Sequence, residues 1–433
     1  MSTSTSTSTS TSTSTSTASH LESVESFRRR AREWIAEHLA PASNATDQGQ
    51  EESEGDRDEA EWMHARKLQA RLHAGGFAGI CYPREYGGLG LTPAHQQAFN
   101  EEVTGYEMPT PLNIPTFTIC CPTILDMGSE EQKREHLAAA IRGDEVLAQF
   151  LSEPTSGSDL AGATTRAARD GDVFILNGSK IWSSGAYAAD YALCLARTDW
   201  DAPKHRGLTM FLLKIRQPGV QILRIKQVNG STEFCQEFFD DVEVPLSAVV
   251  GEINGGWAVA SRQLFHERNA VGGGSQYFSG PAVHSRRKSP TRDLIDLVRR
   301  TGQADDTRAR ELVAEFHALD KIHSQLVDRV TAGMLSEQLP PTAGSIIRLF
   351  SGESSTRRAE IMLELAGPTA AMSDPALRGE PDIGADFLFR QAGSLGGGST
   401  EMARNIISER ILGMPREYAA DRDVPFSQVK RGR

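Results

Sequence analysis

Residues 150–162 read FLSEPTSGSDLAG, and residues 177–184 read NGSKIWSS. The first stretch predicts an irregular loop, because its proline fixes φ, its glycines permit unusual backbone angles and most other residues are small and hydroxylated. The second stretch is typical of a β-strand and places Trp182 directly before Ser183 and Ser184. Backbone N–H groups and hydroxyls in such a loop can surround a flat polar ligand, with the indole ring beside it. The two stretches therefore predict a cofactor site, and their spacing alone does not identify the cofactor.

The β pattern continues around these stretches, starting at about Ala148. Asp170-Gly171 and Asn177-Gly178 are two-residue hairpin signals, and they predict a meander of three short strands. Turn residues separate four further predicted strands, at residues 191–197, 208–215, 220–225 and 233–244. Such a series of short strands predicts a compact β domain, closed as a barrel or packed as a sandwich.

Helical periodicity flanks the β pattern on both sides. Before it, apolar residues at helical spacing predict helices at residues 21–39, 62–74, 93–105 and 130–142, with a solvated acidic loop at 42–61. After it, the same spacing predicts helices at residues 257–271, 293–301, 307–335, 343–366 and 400–412. The later set predicts a helical bundle.

The chain is therefore predicted to have helical, β and helical domains in that order. Residues 2–17 alternate Ser and Thr and contain no apolar side chain, so residues 1–20 are predicted to be a disordered tail. The predicted domains are an N-terminal helical domain at 21–147, a central β domain at 148–254 and a C-terminal helical bundle at 255–433.

Composition excludes several classes of function. The net charge of −11 over 433 residues argues against nucleic-acid binding, which needs a basic surface. No apolar run approaches the roughly 20 residues that span a bilayer. Five cysteines without CxxC spacing fit a reducing compartment, and the 11 histidines form no ligand pattern that would predict a metal site. With no targeting segment recognised, we expect a cytoplasmic protein.

A carboxylate and a guanidinium stand side by side on the first helix after the β domain. Trp257, Leu264 and Phe265 define an apolar stripe on this helix, with Arg268 within the stripe and Glu267 at its flank. Burial would raise the pKa of such a carboxyl and the neighbouring arginine would lower it, which is the tunable behaviour that a general base requires. On pattern alone, a structural Glu–Arg pair is the simpler interpretation.

A glycine-rich loop precedes the last predicted helix. Residues 396–401 read GGGSTE, and a loop of this kind that leads into a helix exposes backbone N–H groups and favours anions. A flexible linker before a capped helix explains the same pattern equally well.

Several motifs in the same order resemble the acyl-CoA dehydrogenase family of flavoproteins, over about residues 21–416. Ser152-Glu153-Pro154 with Gly157-Ser158-Asp159 is similar to the first family signature, and residues 177–182 are similar to its continuation. Residues 238–245 (FFDDVEVP) resemble the segment that closes the β domain. Residues 364–368 (ELAGP) and 397–401 (GGSTE) resemble the C-terminal cofactor loops.

The resemblance implies an N-terminal helical domain, a central β-barrel and a C-terminal four-helix bundle, in a homodimer or homotetramer, with a heteromer as an alternative. It implies FAD between the β domain and the bundle. By position, Ser152 and Ser184 would hydrogen-bond the isoalloxazine ring, Trp182 would pack against it, and Ser158 would lie near the acyl-CoA. The resemblance also implies contacts to FAD from Ser158, Arg310, Gly367, Gly398, Thr400 and Glu401. It places Arg268 on the substrate side. The helix that carries Arg310 departs from the usual family pattern.

The resemblance also implies a reaction in which a base removes the α-proton of an acyl thioester while the β-hydrogen leaves as hydride to flavin N5. Many family members carry the base at the position of Gly397, where this chain has no carboxylate. Glu401 lies four residues later, at a position that is commonly acidic without being the base. A smaller set of relatives places the base in a Glu–Arg pair on the first helix after the β domain. Glu267 is therefore the predicted base, and the Gly397 amide is the predicted donor to the enolate oxygen.

The leading hypothesis is an FAD-dependent acyl-CoA dehydrogenase that forms a trans-2-enoyl thioester and passes electrons to an electron-transfer flavoprotein. The alternatives are a flavin-dependent oxidase or monooxygenase on the same fold, since a fold does not fix a chemistry, and a non-catalytic partner subunit of a heteromeric dehydrogenase. The acyl group, and the choice between CoA and a carrier-protein thioester, are left open by the sequence.

Overall fold

The computed structural model describes residues 21–42, 54–271, 274–281, 290–371 and 383–430. The tail predicted to be disordered, residues 1–20, lies outside the described residues. Within these ranges no helix is long and apolar enough to cross a membrane.

The N-terminal part of the structure is helical. Its α-helices are α1 (Val24–His38), α2 (Glu54–Ala74), α3 (Pro93–Glu102), α4 (Cys121–Met127), α5 (Glu130–Gln132) and α6 (Ala138–Arg142). The Ser23 hydroxyl caps α1 by accepting a hydrogen bond from the Ser26 N–H at 3.2 Å. Phe27, Ala31 and Ile35 recur every four residues and are fully buried, so α1 presents one apolar face to the core.

The beginning of α2 corrects one prediction. The helix begins at Glu54, whereas the sequence placed a solvated loop up to residue 61. The loop prediction was wrong from residue 54 onward because acidic residues, glutamate above all, are compatible with a helix as well as with a loop. The predicted end is confirmed, since Gly76 follows the helix with a φ of +72°.

The central part of the structure is a sheet. Within the described residues its strands are β1 (Leu147–Phe150), β2 (Arg166–Asp170), β3 (Val173–Ser184), β4 (Tyr191–Arg197), β5 (Leu208–Lys214), β6 (Val220–Arg224), β7 (Phe234–Pro245) and β8 (Val249–Val250). The hydrogen-bonded path runs β6-β7-β3-β2-β4-β5-β8, and β1 pairs with β4 in parallel. Strands β4 and β5 are almost entirely buried, which fits their continuous apolar sequences.

The second predicted hairpin in this region was wrong. Asp170-Gly171 does form the turn between β2 and β3, but Asn177-Gly178 lies inside the twelve-residue strand β3. A register shift against β7 occurs between Leu176 and Gly178, where Gly178 has a φ of +146°. A Cβ at Gly178 would lie 2.8 Å from the Cα of Thr165, so the glycine admits close packing at a bulge and does not turn the chain.

The C-terminal part of the structure returns to helices. They are α7 (Gly256–Val271), α8 (Pro290–Arg300), α9 (Thr307–Leu335), α10 (Gly344–Ala366), α11 (Ile383–Phe389) and α12 (Thr400–Ile406), which continues as a π-helical turn over Ile407–Ile411. Leu294, Leu312 and Ile361 belong to a separate core in which α8, α9 and α10 meet. The predicted order of helical, β and helical parts is therefore confirmed.

After this last helix the chain returns to the β domain. We call residues 415–430 the C-terminal strap. Pro425 forms a bridge with Pro203, and Phe426 of the strap is fully buried. The strap therefore connects the end of the helical bundle to the segment between β4 and β5.

Candidate active site

A bulge in β3 turns Trp182 away from the sheet. The register with β7 shifts between Ile181 and Ser183, and Trp182 takes a φ of +66°, which is uncommon for a bulky residue. Its side chain is 55% exposed and contacts Phe234 edge to face, with ring centroids 5.9 Å apart. The bulge thus presents an indole ring on the protein surface.

The two predicted serines lie at the same bulge. The Ile181 N–H donates to the Ser152 carbonyl at 3.0 Å, which places the loop after β1 beside Trp182. Ser184 ends β3 and pairs with Phe234, the residue that the indole contacts. Ser152 and Ser184 are both partly exposed. The structure therefore brings Ser152, Trp182 and Ser184 together.

A buried ion pair fixes the loop that follows Ser152. Lys180 is fully buried and donates to Glu153 at 2.8 Å and to the Leu151 carbonyl at 3.0 Å. Glu153 also accepts the backbone N–H groups of Thr164 and Thr165 at 2.7 and 2.9 Å. Burial alone would raise the pKa of Glu153, but the Lys180 ammonium and these donors lower it to about 2.

A second buried carboxyl lies under the bulge. Glu237 is fully buried on β7, and one of its oxygens accepts a hydrogen bond from the Ser183 hydroxyl at 3.0 Å. Its other oxygen has no hydrogen-bond partner among the residues that the structure describes. Burial raises the pKa of Glu237 to about 7, against the lowering effects of the Ser183 hydroxyl and the Lys180 ammonium.

Glu267 lies on α7 where that helix meets β1 and the glycine-rich loop. Burial raises its pKa above the usual range, against the opposing effects of the Gln149 side chain, the Arg268 and Arg348 charges and the Gly397 backbone N–H. The side chain remains partly accessible to solvent. Glu267 is thus a largely desolvated carboxyl with two neutral donors and two cations nearby.

The apolar stripe predicted for α7 was only partly right. Trp257 and Leu264 pack against the core, but the most buried residues on the helix include Gln263 and His266. The Gln263 side chain donates to the Gln149 side chain at 3.2 Å. His266 contacts Asp126 of α4 at 2.8 Å. These polar contacts fix the helix against both β1 and the N-terminal helices, which hydrophobic periodicity does not detect.

Arg348 of α10 fixes the glycine-rich loop. Its guanidinium donates to the Gly396 carbonyl at 2.7 Å, and its charge also acts on Glu267. The Gly396 carbonyl and the Gly397 N–H belong to one planar peptide unit, so holding the oxygen also directs the N–H. A Cβ at Gly352 would lie 2.9 Å from the guanidinium, and that glycine therefore leaves room for it.

Four of the remaining predicted residues lie in or near the two loops of the site. Thr400 is buried in the first turn of α12, which Ser399 caps, and Glu401 beside it is exposed with a pKa lowered by its own N–H and by Ser399. Gly398 follows Gly397 with a φ of +95°. Ser158 is exposed on the loop after β1, and Arg268 is partly buried, which lowers its pKa.

Arg310 and Gly367 lie at a different place in the bundle. Arg310 is exposed in the first turn of α9, and Gly367 ends α10 with a φ of +59°. Gln303, just before α9, donates to the Leu365 carbonyl at 2.7 Å, so these two helix ends are adjacent. Among the contacts of the described residues, none joins either residue to the Trp182 bulge.

The sequence did not predict two residues of the site. Gln149 is a polar residue in the apolar strand β1, and Arg348 follows two isoleucines on α10. A charged or amide side chain within an apolar run was the available signal, because such groups are buried only with partners.

Three family models match the chain. They describe the acyl-CoA dehydrogenase N-terminal domain over residues 22–144, the middle domain over 148–242 and the C-terminal domain over 254–412. The chain is 35% identical over 400 residues to acyl-CoA dehydrogenase IpdE1 of Mycobacterium tuberculosis, covering 92% of this chain and 99% of that protein.

Solved structures give the same result. The Tcur3481-Tcur3483 steroid ACAD is 28% identical with a TM-score of 0.72, covering 91% of this chain and 98% of that one. The ChsE4-ChsE5 complex from Mycobacterium tuberculosis is 26% identical with a TM-score of 0.67, covering 92% and 100%. The chain belongs to the acyl-CoA dehydrogenase family, whose members are flavoprotein oxidoreductases that act on CH–CH bonds.

Proposed function

We propose that this protein dehydrogenates an acyl-CoA thioester between its α and β carbons, with Glu267 as the α-proton base. The observation that carries the proposal is that the Glu267 carboxyl is close enough to the Gly397 backbone N–H for that donor to lower its pKa. A base and an amide donor at one place are what removal of a proton next to a thioester carbonyl requires.

The residues at the Trp182 bulge fit FAD. An indole that is 55% exposed and turned outward by a bulge is suited to pack against a flat ring. Ser152 and Ser184 beside it can supply hydrogen bonds to the edge of that ring. We propose the same FAD for Gly367, Gly398, Thr400, Glu401 and Arg310, with Arg310 at its diphosphate. When bound, FAD accepts the β-hydrogen as a hydride.

The pKa of Glu267 suits its proposed role. Burial raises the pKa, so the carboxylate is a stronger base than an exposed glutamate. The Arg268 and Arg348 charges oppose this shift and keep the group ionisable. The carboxylate takes the α-proton from the substrate, and the proton stays on a Glu267 oxygen when the double bond forms. Arg268 lies on the substrate side by our proposal.

The Gly397 amide has a complementary role. A thioester with its α-carbon against Glu267 can place its carbonyl oxygen on the Gly397 N–H, where negative charge develops as the proton leaves. Loss of one such donor typically lowers a rate by about 10²- to 10³-fold. Arg348 is a positioning residue in this scheme because it holds the Gly396 carbonyl.

An anaerobic titration tests the proposal. The purified flavoprotein is mixed with a panel of short, branched, aromatic and steroid-derived acyl-CoAs, and bleaching of the flavin absorbance is recorded. We expect at least one thioester to bleach the wild type and Glu267→Gln to remain oxidised. Glu252→Gln is the matched control, since Glu252 is an exposed glutamate just before α7 to which no part of the site is assigned.

The other outcomes are equally informative. Absence of bleaching with every thioester, or bleaching that is undiminished in Glu267→Gln, would contradict the mechanism. Rapid reoxidation of the bleached flavin by oxygen would favour an oxidase. A steroid-derived thioester belongs in the panel because one similar structure is described as a steroid ACAD.

We propose an electron-transfer flavoprotein as the electron acceptor and an oligomer as the active form. Two similar structures, the Tcur3481-Tcur3483 steroid ACAD and the ChsE4-ChsE5 complex, are named for two chains, which supports a heteromer beside the homodimer or homotetramer. Copurification with a second homologous chain would decide between them. All five cysteines are free thiols, which fits the proposed cytoplasmic location.

A further inference from the structure

The C-terminal strap is bonded to the segment between β4 and β5. The Phe426 N–H donates to the Ala202 carbonyl at 3.0 Å, and the Ser427 N–H donates to the Trp200 carbonyl at 2.8 Å. These bonds accompany the bridge between Pro425 and Pro203. The matched family model ends at residue 412, so the strap lies outside the part of the chain that it describes.

Phe426 covers a buried guanidinium. The Arg197 side chain is fully buried, and its guanidinium carbon lies 3.4 Å from the centroid of the Phe426 ring. Arg197 donates to the Ala161 carbonyl at 2.6 Å and to the Ala163 carbonyl at 3.0 Å. The ring excludes water from these bonds, and a hydrogen bond from a charged donor is stronger in a dry surrounding. The strap thereby supports the attachment of residues 161–163.

Lys204 makes a second connection between the strap and the same loop. Its ammonium lies 3.1 Å from Asp159 and 3.1 Å from Asp421 of the strap. The Lys204 side chain is 13% exposed, whereas that of Asp159 is 63% exposed. Asp421 therefore helps to hold a lysine whose other partner is at the exposed end of the loop.

The loop between β1 and β2 is thus fixed from two sides. Glu153 and Lys180 hold its beginning, and Glu153 also binds its last residues at Thr164 and Thr165. Between these two ends of the loop, Arg197 binds the carbonyls of residues 161 and 163, and Lys204 binds Asp159. Both side chains also contact the strap. Ser158 lies at the exposed end of the loop, next to Asp159.

We infer that the C-terminal strap positions the Ser158 loop for the CoA part of the thioester, with Phe426 and Asp421 as the positioning residues. The inference rests on the proposed function and on the expectation, from the family resemblance, that Ser158 lies near the acyl-CoA. The strap acts on the binding of the long, distal part of the substrate, and Glu267 acts on the reacting carbons. A change in the strap therefore weakens acyl-CoA binding and leaves the chemical step intact.

Steady-state kinetics on full-length variants test this. Each variant is assayed with an acyl-CoA that bleaches the wild type and with the same acyl group on N-acetylcysteamine, which lacks the distal part of CoA. For Phe426→Ala we expect KM for acyl-CoA to rise about tenfold, while kcat and the KM for the short thioester stay within about twofold. Phe426→Leu keeps the site apolar without an aromatic face, and we expect an intermediate rise.

The surface variant Asp421→Asn provides a second measurement, which stays valid if Phe426→Ala does not fold. We expect a rise of about threefold in the KM for acyl-CoA alone, the size typical of an exposed ion pair. Asp423→Asn, an exposed carboxylate of the same strap, is the matched control and should resemble the wild type. The FAD content of each variant is measured in parallel and should be unchanged.

Equal losses with both thioesters, or an unchanged KM for acyl-CoA in every strap variant, would overturn the inference. Failure of the proposed function gives a different result, because the full-length Glu267→Gln variant would then still be reduced by the thioester. Failure of the inference is thus measured on the strap variants, and failure of the proposed function is measured on Glu267→Gln.

Discussion

The guanidinium of Arg348 donates a hydrogen bond to the Gly396 carbonyl at 2.7 Å, and the N–H on the other side of that peptide unit is close enough to Glu267 to lower its pKa. One side chain on α10 therefore orients the amide donor and also places a positive charge near the proposed base. The two effects can be separated by substitution, because the hydrogen bond needs the planar guanidinium, whereas any cation at this position keeps the charge.

For Arg348→Met we expect kcat to fall by about 10²-fold, because the Gly397 N–H loses its orientation. The positive charge of Arg348 lowers the pKa of Glu267, so its removal raises that pKa further. Since the base must be ionised, the acidic limb of the kcat/KM profile should move to higher pH. Arg348→Lys should keep the position of the limb and still lose activity. Arg169→Met, an exposed arginine on β2, is the control, and identical pH profiles for all variants would contradict the assignment.

Glu237 should make stability depend on pH. Its pKa is raised from 4.5 to about 7 in the folded protein, so between these values the folded state holds a proton that the unfolded state has lost. Stability is therefore full below about pH 4.5 and is lost as pH rises through about 7, by at most about 3 kcal/mol.

Glu237→Gln removes this loss. Thermal unfolding at about pH 5 and about pH 8 should show the variant gaining stability over the wild type only at the higher pH. Glu243→Gln on the exposed face of the same strand should show no such difference. A gain of equal size at both pH values would mean that the proton on Glu237 is not involved.

Trp182 should matter for flavin retention more than for folding. The indole is 55% exposed, and glycine adopts its φ of +66° without strain, so Trp182→Gly should leave the thermal stability of the flavin-free protein nearly unchanged. We expect FAD affinity to fall by at least about fivefold, because an aromatic contact contributes about 1 kcal/mol beyond its buried area. The measurement is fluorescence titration of the flavin-free protein with FAD. Trp182→Phe should retain part of the affinity, and Phe238→Ala, another partly exposed aromatic residue on the same sheet, should retain all of it.

The sequence predicted the domain order because periodicity changes from helical to alternating and back. It also led to Glu267 and Gly397, which the structure brings together although they are far apart in the chain, and their roles are still predictions. It could not distinguish a turn from a bulge at Asn177-Gly178, because both use glycine for the same backbone freedom. Only the close packing of Thr165 decides between them, and that contact is not local in sequence.

Other parts of the site carry no local signal. Arg348 and Gln149 acquire their importance from partners on distant segments, and a sequence pattern describes only one of the two partners. The strap is a similar case, since Phe426 is an ordinary aromatic residue until Arg197 lies beneath it.

The strap has a consequence for how the protein is made. Asp421 and Phe426 are translated about 260 residues after the loop that they support, a delay of roughly 13 to 50 s at usual rates of synthesis. During that interval Arg197 lacks the ring of Phe426, and Lys204 lacks one of the two carboxylates beside it. A nascent chain, or one cleaved by a protease before Asp421, would contain Glu267 and Gly397. Its Ser158 loop would lack the strap that we infer to position it for CoA. A low KM for acyl-CoA would then indicate that the chain had been synthesised through the strap.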